Sequence, residues 1–300
     1  MQVFNFGSIN IDHVYRVPHL VEPGETLLSQ TLETVLGGKG ANQSVALSRA
    51  GARVLHVGRL GEADQWARDQ MAAAGVDVSH VSAFDGPSGH AIIQVDDHAE
   101  NSIILHGGAN QSFTHDELAA TLASAEAGDW LLMQNECNAL DSAFSLAQAR
   151  GMRIAFNPAP MTSTMSQLPL ERCELLIVNE IEATVLADNN DPDAAIGILG
   201  ERYPDTCLVL TLGSRGAMVR RGLHQYSAKA LNVTAVDTTG AGDTFVGYYL
   251  ASLMDGLNDE RALLRSCAAA ALSVTKHGAT PSIPTNAELE TFLGQPVEQP

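Results

Sequence analysis

Short apolar runs that alternate with helical segments constrain the fold of this chain more than any other feature. The clearest runs occupy residues 130–134, 152–156, 175–178 and 207–212. Such runs are typical of strands buried on both faces, and strands alternating with helices form a parallel sheet covered by those helices. No linker or repeat divides the pattern. The sequence therefore predicts one α/β domain over residues 1–300, with a central, mostly parallel sheet flanked by helices.

Two groups of shorter segments with alternating apolar residues depart from this pattern. They occupy about residues 13–36 and 89–106, and turn-forming residues interrupt both groups. We expect them to form a small antiparallel β-sheet inserted into the α/β domain. One face of such a sheet must be covered, so the sheet is predicted to act as a lid or to contact a second subunit.

Charge and composition argue against several classes of partner. The formal net charge is −18 at pH 7, which disfavours binding to nucleic acid or to an anionic membrane. We see no targeting segment and no long apolar segment, so we expect a cytoplasmic protein. The cysteines form no C-x-x-C pair and are expected to be reduced and mostly buried; they are Cys137, Cys173, Cys207 and Cys267.

Residues 237–245 read Asp-Thr-Thr-Gly-Ala-Gly-Asp-Thr-Phe and lead into an apolar run with helical character. Glycines at the start of a helix leave backbone N–H groups free, and these groups together with the helix dipole bind anions. A carboxylate beside an anion site is unfavourable unless it has a task, and Asp243 could take a proton from a hydroxyl that attacks a phosphoryl group. Alternatively, Asp243 is a first-turn residue favoured by the dipole, and Gly240 and Gly242 serve a tight turn.

A second glycine-rich stretch, Gly-Gly-Lys-Gly-Ala-Asn-Gln, occupies residues 37–43 and precedes another predicted helix. It lacks the spacing of a P-loop. Its glycines expose backbone N–H groups, while Lys39 and Asn42 add polar groups suited to hydroxyls. Upstream, Asn10 and Asp12 follow the first predicted strand and share one side of an extended chain. Alternatively, residues 37–43 are a plain loop before a helix, and Asn10 and Asp12 belong to a turn.

Polar residues also follow three predicted strands, at residues 134–136, 157–160 and 179–182. Ligands of α/β sheets bind at the carboxyl edge, so this recurrence indicates a binding site there. Asn179 and Glu182 suit a phosphate or a hydrated Mg²⁺ ion, although each taken alone also fits a helix cap. Arg215 lies among glycines and either faces a nucleotide or belongs to a turn between strands.

Together these motifs resemble the ribokinase-like sugar kinase family. The stretches at residues 37–43 and 237–245 look like its two signatures. The likeness runs from about residue 3 to residue 293, with matching segments at 7–10, 157–160, 179–180, 211–216 and 278–279. It implies a central α/β domain with a β-sheet lid that packs against the lid of a second subunit in a homodimer.

The resemblance also implies the reaction. The γ-phosphoryl group of MgATP would be transferred to the 5-hydroxyl of D-ribose, giving D-ribose 5-phosphate. Asp243 would be the general base, and the N–H groups of Gly240, Ala241 and Gly242 would stabilise the transferring group. The sugar would be held by Asn10, Asp12, Gly38, Lys39, Gly40, Asn42, Glu136 and Asp243.

Nucleotide and ion sites are implied in the same way. ATP would contact Asn179, Thr211, Gly213, Ser214, Arg215, Gly216, Gly242 and Cys267, where Cys267 replaces a histidine expected near the adenine. Glu182 would act on Mg²⁺ through water. A monovalent cation, usually potassium, would fix the loop before Asp243. Its site would include Asp237, Thr239, Ser273, Lys276, Gly278 and Ser282.

Two alternatives stay open. A kinase of the same family could act on 2-deoxyribose, fructose or adenosine instead. A nucleoside would want aromatic surface near the lid, where Tyr15 and Phe84 are the obvious candidates. The chain could also be a sugar- or nucleotide-binding sensor without turnover, although a sensor has no need of the base at Asp243.

Overall fold

The computed structural model describes residues 1–98, 100–162 and 165–294. Its strands are β1 Val3–Phe6, β2 Asn10–Arg16, β3 Thr31–Gly37, β4 Val54–Gly61, β5 Asp77–Phe84, β6 Gly89–Val95, β7 Asn101–His106, β8 Trp130–Gln134, β9 Arg153–Asn157, β10 Leu175–Asn179, β11 Cys207–Thr211, β12 Ala217–Arg221 and β13 His224–Ala228. Its α-helices are α1 Lys39–Arg49, α2 Gln65–Ala73, α3 His115–Thr121, α4 Leu140–Ala149, α5 Glu180–Ala187, α6 Pro192–Arg202, α7 Ala241–Met254, α8 Asp259–Ser273 and α9 Asn286–Gly294.

The main sheet has nine strands in the order β13-β12-β11-β10-β9-β8-β1-β4-β5. The strands from β11 to β5 run parallel, and the hairpin of β12 and β13 adds an antiparallel edge. The predicted central, mostly parallel sheet is confirmed. Because β1, β8, β9, β10 and β11 are neighbours, the residues that follow them meet at one carboxyl edge.

Two hydrophobic cores lie on opposite faces of the main sheet. Within β8, Trp130 and Leu132 pack into the core under α1, α7 and α8, while Leu131 and Met133 pack into the core under α3 to α6. A strand buried on both faces has no polar face, which explains why the run is apolar throughout. The four cysteines are free and buried, as expected. No helix in the described ranges has the length and hydropathy needed to span a membrane.

A separate sheet, named here the small sheet, has the strand order β3-β2-β6-β7. The expectation of a small inserted sheet is confirmed, but its central pairing differs from the expected antiparallel arrangement. Strands β2 and β6 run parallel, whereas the β2–β3 and β6–β7 pairs are antiparallel. β2 and β6 follow the parallel strands β1 and β5 of the main sheet, so both enter the small sheet in the same direction.

Helices α1 and α7 begin earlier than the sequence predicts. The glycine-rich stretches at residues 37–43 and 237–245 are expected to lie before these helices, because glycine favours loops over helices. In the structure, Gly38 with φ 92° and Gly240 with φ 75° end the preceding loops, and the residues that follow each are already helical. Lys39, Asn42 and Asp243 therefore project from helices rather than from flexible loops.

Several elements carry no signal that we recognised in the sequence. They are β5, the hairpin of β12 and β13, and helices α5 and α6. Strands β5 and β13 lie at the two edges of the main sheet and are partly exposed, so neither has a continuous apolar run. Edge strands of this kind do not need a run of buried side chains.

Candidate active site

Asp243 lies in the first turn of α7, with 8% of its surface exposed. Its two carboxylate oxygens each accept a hydrogen bond from an amide of α1. Asn42 Nδ2 donates to Oδ2 at 3.0 Å, and Gln43 Nε2 donates to Oδ1 at 2.9 Å. Because α1 packs against α7, the helix pair fixes the position of this carboxylate. Each carboxylate oxygen keeps a further lone pair that can accept a proton.

The turn before α7 presents backbone N–H groups with no side-chain cap. The N–H of Ala241 donates to the carbonyl of Thr238 at 3.3 Å. Across the described ranges, the N–H groups of Gly240 and Gly242 have no protein acceptor. A Cβ built on Gly242 would meet no atom within 4 Å, so the space beside this turn is open. The turn can therefore receive an anion.

Lys39 projects from the first turn of α1 into a group of carboxylates. Attraction to Asp243 raises the pKa of Lys39 against the opposing effect of burial, and Glu136 and Glu182 add to the rise. Burial raises the pKa of Glu136 and of Glu182. Burial also raises the pKa of Asp12 to about 7, with repulsion from Glu136 contributing. Negative groups outnumber the lysine, so a bound polyphosphate here would need additional cations.

The small sheet contributes Asn10 and Asp12 from β2, and Glu136 follows β8 of the main sheet. Glu136 Oε2 accepts hydrogen bonds from the Ser8 hydroxyl and from the Lys39 N–H, the latter at 3.1 Å. The structure thus brings together, at the junction of the two sheets, the predicted sugar residues Asn10, Asp12, Gly38, Lys39, Gly40, Asn42 and Glu136.

Asn179 and Glu182 form a capping box at the start of α5. The Glu182 N–H donates to Asn179 Oδ1 and the Asn179 N–H donates to Glu182 Oε2, both at 2.9 Å. The same two residues line a cavity of about 140 Å³, named here the inner cavity, together with Lys39, Thr211, Gly240, Gly242 and Asp243. The helix-cap interpretation is therefore correct, and the cap also faces the space beside Asp243.

A larger cavity of about 580 Å³, named here the outer cavity, shares Thr211 and Gly242 with the inner one. Apolar side chains such as Leu231, Val233 and Phe245 form much of its wall. The predicted nucleotide residues on this wall are Thr211, Gly213, Ser214, Gly216, Gly242 and Cys267.

Arg215 has partners other than a ligand. Its guanidinium forms ion pairs with Glu180 at 2.6 Å and with Asp193 at 3.2 Å, and its side chain is 49% exposed. The turn at residues 213–215 connects β11 to β12. Arg215 therefore lies in a turn between strands, and its contact with a nucleotide stays a prediction.

Asp237 joins the turn before α7 to the loop after α8. Its carboxylate accepts hydrogen bonds from the N–H groups of Thr239 and Gly278, both at 2.9 Å. Burial alone would raise the pKa of Asp237, but the hydrogen bonds from Thr239 and Gly278 outweigh burial and lower that pKa. The carboxylate is thus held ionised next to the glycines of the anion site.

Other members of the predicted cation group use their side chains elsewhere. The hydroxyls of Ser273 and Ser282 donate to the carbonyls of Ala270 and Ala279, and Lys276 forms an ion pair with Glu288 at 2.7 Å. The Lys276 ammonium has no lone pair, so Lys276 can offer an ion only its backbone carbonyl. In the part of the chain that the structure describes, no group of three or more His, Cys, Asp or Glu residues is arranged to hold a metal ion.

Several buried polar residues contact the predicted site residues but have no role assigned from the sequence, among them Gln43 and Asn110. Gln43 donates to Asp243, and Asn110 Nδ2 donates to Asn10 Oδ1 at 2.8 Å. Helical spacing could have identified Gln43, because Lys39, Asn42 and Gln43 share one face once α1 begins at Lys39. Asn110 lies in a short 3₁₀ turn after β7 and follows no periodic pattern.

Comparison with known proteins identifies the family. The model of the pfkB family carbohydrate kinases matches residues 2–286. The chain belongs to this family. It is 36% identical over 297 residues to the ribokinase of Haemophilus influenzae, with 96% of both proteins covered. This pfkB-family chain is therefore a carbohydrate kinase.

Solved structures of relatives have the same fold. Ribokinase from Cryptococcus neoformans in complex with ADP matches with a TM-score of 0.87 and 31% identity, over 97% of this chain and 99% of that one. Ribokinase from Arabidopsis thaliana complexed with ribose and ATP matches with a TM-score of 0.84 and 27% identity, over 98% and 99%. These pfkB-family neighbours confirm the ribokinase-like fold.

Proposed function

We propose that this pfkB-family kinase is a ribokinase, which transfers the γ-phosphoryl group of MgATP to the 5-hydroxyl of D-ribose and releases D-ribose 5-phosphate. One observation carries the proposal. The buried carboxylate of Asp243 lies between the polar residues at the sheet junction and the inner cavity, beside the free N–H groups of Gly240 and Gly242. The relatives named as ribokinases, one of them complexed with ribose and ATP, support this choice of substrates.

In the proposed reaction, the 5-hydroxyl oxygen attacks the γ-phosphorus and the bond to the bridging oxygen of ADP breaks. The hydroxyl proton passes to Asp243, whose two oxygens are held in place by Asn42 and Gln43. The N–H groups of Gly240, Ala241 and Gly242 stabilise the negative charge of the transferring group. The weak bond from Ala241 to Thr238 leaves its N–H able to turn toward the phosphoryl oxygens.

Recognition of the sugar is assigned to the residues at the sheet junction. Asp12 and Glu136 offer carboxylate oxygens to neighbouring hydroxyls, and Lys39 and Asn42 offer donors. Gly38 and Gly40 let the start of α1 approach the backbone of residues 7–10 closely, and this contact places Lys39 and Asn42 beside Asn10. A small polyhydroxylated ligand suits this alternation of donors and acceptors better than a nucleoside base, which needs an aromatic surface to stack on.

ATP is assigned to the two cavities. The apolar outer cavity, with Cys267 on its wall, accepts the adenine, and the inner cavity between Asn179 and Gly242 accepts the phosphates. Mg²⁺ prefers oxygen ligands and keeps several of its waters, so the buried carboxylate of Glu182 fits a contact through water. The ion would neutralise phosphate charge that Lys39 alone does not balance.

A monovalent cation, potassium in the first instance, is assigned to the loops that Asp237 joins. A carboxylate with lowered pKa and several backbone carbonyls form an oxygen-only donor set, which suits such an ion. The proposed members are Asp237, Thr239, Ser273, Lys276, Gly278 and Ser282. Because Asp237 contacts both loops, occupancy of this site would rigidify the turn that carries Gly240 and Gly242.

The small sheet is assigned the roles of lid and dimer contact. Strand β7 is exposed along its whole length, including Ile103, Ile104 and Leu105. Apolar side chains on an exposed edge strand are unfavourable unless another surface covers them. Pairing with the small sheet of a second copy would bury these side chains and close the sugar side of the site to water.

The proposal is tested by following ADP release in a coupled assay with MgATP and ribose, 2-deoxyribose, fructose or adenosine, each in potassium or in sodium alone. Turnover that prefers ribose and rises with potassium is expected. Turnover with another acceptor only would keep the family and reject ribose as substrate. No turnover in a protein that still binds ATP would favour the sensor function instead.

A further inference from the structure

We propose that Gln43 is the positioning residue of Asp243, and that a buried chain of hydrogen bonds beginning at His56 dictates which end of its amide meets the carboxylate. Gln43 is fully buried, so it acts on the reaction through Asp243 and not by touching substrate. The inference rests on the proposed function, in which Asp243 accepts the proton of the sugar hydroxyl.

The chain of hydrogen bonds begins at His56, whose surroundings fix which ring nitrogen donates and which accepts. His56 is fully buried, and its Nε2 lies 3.1 Å from the carbonyl oxygen of Gly7. A carbonyl oxygen only accepts, so Nε2 must carry the proton. Burial lowers the pKa of His56 to about 3, so the ring is neutral and Nδ1 has no proton. Nδ1 therefore accepts from the hydroxyl of Ser44, 2.8 Å away.

The donor and acceptor roles fixed at His56 then determine the orientation of two side-chain amides, those of Asn5 and Gln134. Since the Ser44 proton is used on His56, Ser44 Oγ accepts from Asn5 Nδ2 at 2.8 Å. Asn5 must then turn its Oδ1 to Gln134, whose Nε2 donates to it at 3.0 Å. The same Gln134 Nε2 donates to Gln43 Oε1 at 2.7 Å. With its oxygen committed to Gln134, Gln43 has its Nε2 facing Asp243.

A second route independently gives Gln43 the same orientation. Asn157, at the end of β9, donates from Nδ2 to the carbonyl of Ile177 at 3.0 Å. Its Oδ1 therefore faces the other way and accepts from Gln43 Nε2 at 3.1 Å. The reversed amide would place Gln43 Oε1 against two acceptor oxygens, those of Asn157 and Asp243. The routes end on two backbone carbonyls, those of Gly7 directly after β1 and of Ile177 in β10, so the backbone fixes the orientation of the Gln43 amide.

The geometry has a functional consequence. Gln43 can only donate to Asp243, so its hydrogen bond opposes rotation of Oδ1 away from the site. Asn42 does the same for Oδ2 from the adjacent position of α1. A base held at both oxygens keeps its free lone pairs aimed at one point, which is the condition for efficient proton transfer.

The test is a double-mutant cycle of Gln43→Met and Asp243→Asn, with Ser48→Ala as the control. Methionine keeps the length of glutamine but cannot donate. Ser48 lies on the same helix and bonds to the carbonyl of Ala74, away from Asp243. We expect Gln43→Met to lower kcat about 10- to 100-fold, the loss expected for one hydrogen bond to a charged group. KM for ribose and for ATP should change less than about twofold, as should every parameter of Ser48→Ala.

In the Asp243→Asn background, Gln43→Met should lower kcat further by less than about threefold, because the carboxylate it positions is gone. Equal losses in both backgrounds, or a KM that rises with the fall in kcat, would show a merely structural role and overturn the inference. If Asp243→Asn itself keeps full activity, the proposed base is wrong and the inference falls with it. If Gln43→Met does not fold, Gln134→Met takes its place in the cycle. Gln134→Met must then lower kcat about 10- to 100-fold in the protein that retains Asp243, and by less than about threefold in the Asp243→Asn variant.

Discussion

Replacing Gly38 with alanine tests whether the junction between the small sheet and α1 sets sugar binding. Gly38 has φ 92° and ψ 134°, a conformation that costs a residue with a side chain about 1–3 kcal/mol. The added Cβ would also lie 2.8 Å from the Asn10 nitrogen and 3.0 Å from the Ser8 carbonyl oxygen, whereas ordinary contact begins at 3.4 Å. These are backbone atoms, so β2 and α1 must move apart by roughly half an ångström.

Overpacking of this kind costs about 1–3 kcal/mol, so Gly38→Ala should lower the free energy of unfolding by about 2–6 kcal/mol in total. The displacement moves Asn10 and Asp12 away from Lys39. Since a misplacement of about 1 Å can cost about 100-fold in rate, we expect kcat/KM for ribose to fall about tenfold or more.

Gly51→Ala is the matched control, because Gly51 follows the other end of α1 and has φ 98°. Its added Cβ would meet the side-chain amide of Asn286 at 3.2 Å, and a flexible side chain can move aside. We expect a loss of about 1–2 kcal/mol in stability with unchanged kinetics. Urea unfolding measures the free energy of unfolding of both variants, and steady-state assays measure their kcat/KM for ribose. Equal stability and equal kcat/KM in the two variants would refute the reasoning.

Four further outcomes are expected. Asp243→Asn should lower kcat about 10²- to 10⁴-fold while ATP still binds in calorimetry, and near-native turnover would exclude the base role. Burial raises the pKa of Asp12 to about 7, so Asp12 is protonated below that pH and must lose its proton when ribose binds. KM for ribose should therefore rise as pH falls below about 7, and Asp12→Asn should remove most of this pH dependence. Glu182→Gln should raise the Mg²⁺ concentration for half-maximal activity about tenfold, measured by titration with MgCl₂. Asp237→Ala should abolish the difference between rates in potassium and in sodium; a preserved difference would place the cation elsewhere.

Local sequence patterns predict the parts of this fold that depend on local properties. The strand at residues 130–134 is predictable because burial on both faces requires an apolar run. The start of α1 is not, since glycine propensity argues for a loop, while contacts of Gly38 and Gly40 with the β1–β2 connection favour a helix there. The parallel pairing of β2 with β6 depends on where β1 and β5 lie in the main sheet, which no local pattern reveals.

The residues of the candidate site also divide into those that a local sequence pattern reveals and those that only the fold reveals. Asp243 and Lys39 are identifiable because the chemistry of a carboxylate or a lysine among glycines is unusual. Gln43 and Asn110 are ordinary amides in the sequence, and their significance comes from partners about 200 and 100 positions away, Asp243 and Asn10. For Arg215 the sequence does not reveal the surroundings of the guanidinium, because its partners Glu180 and Asp193 lie in α5 and α6.

The proposed acceptor residues Asn10 and Asp12 lie on the small sheet, whereas Asp243 and the glycine turn belong to the main sheet and its helices. Two of the proposed sugar contacts thus lie in a module that is physically distinct from the proposed phosphate-transfer residues. Mutations that redirect one module can accumulate during evolution while the other stays intact. For protein engineering, exchanging residues 10–37 and 89–106 between family members offers a way to change the accepted sugar while retaining the catalyst.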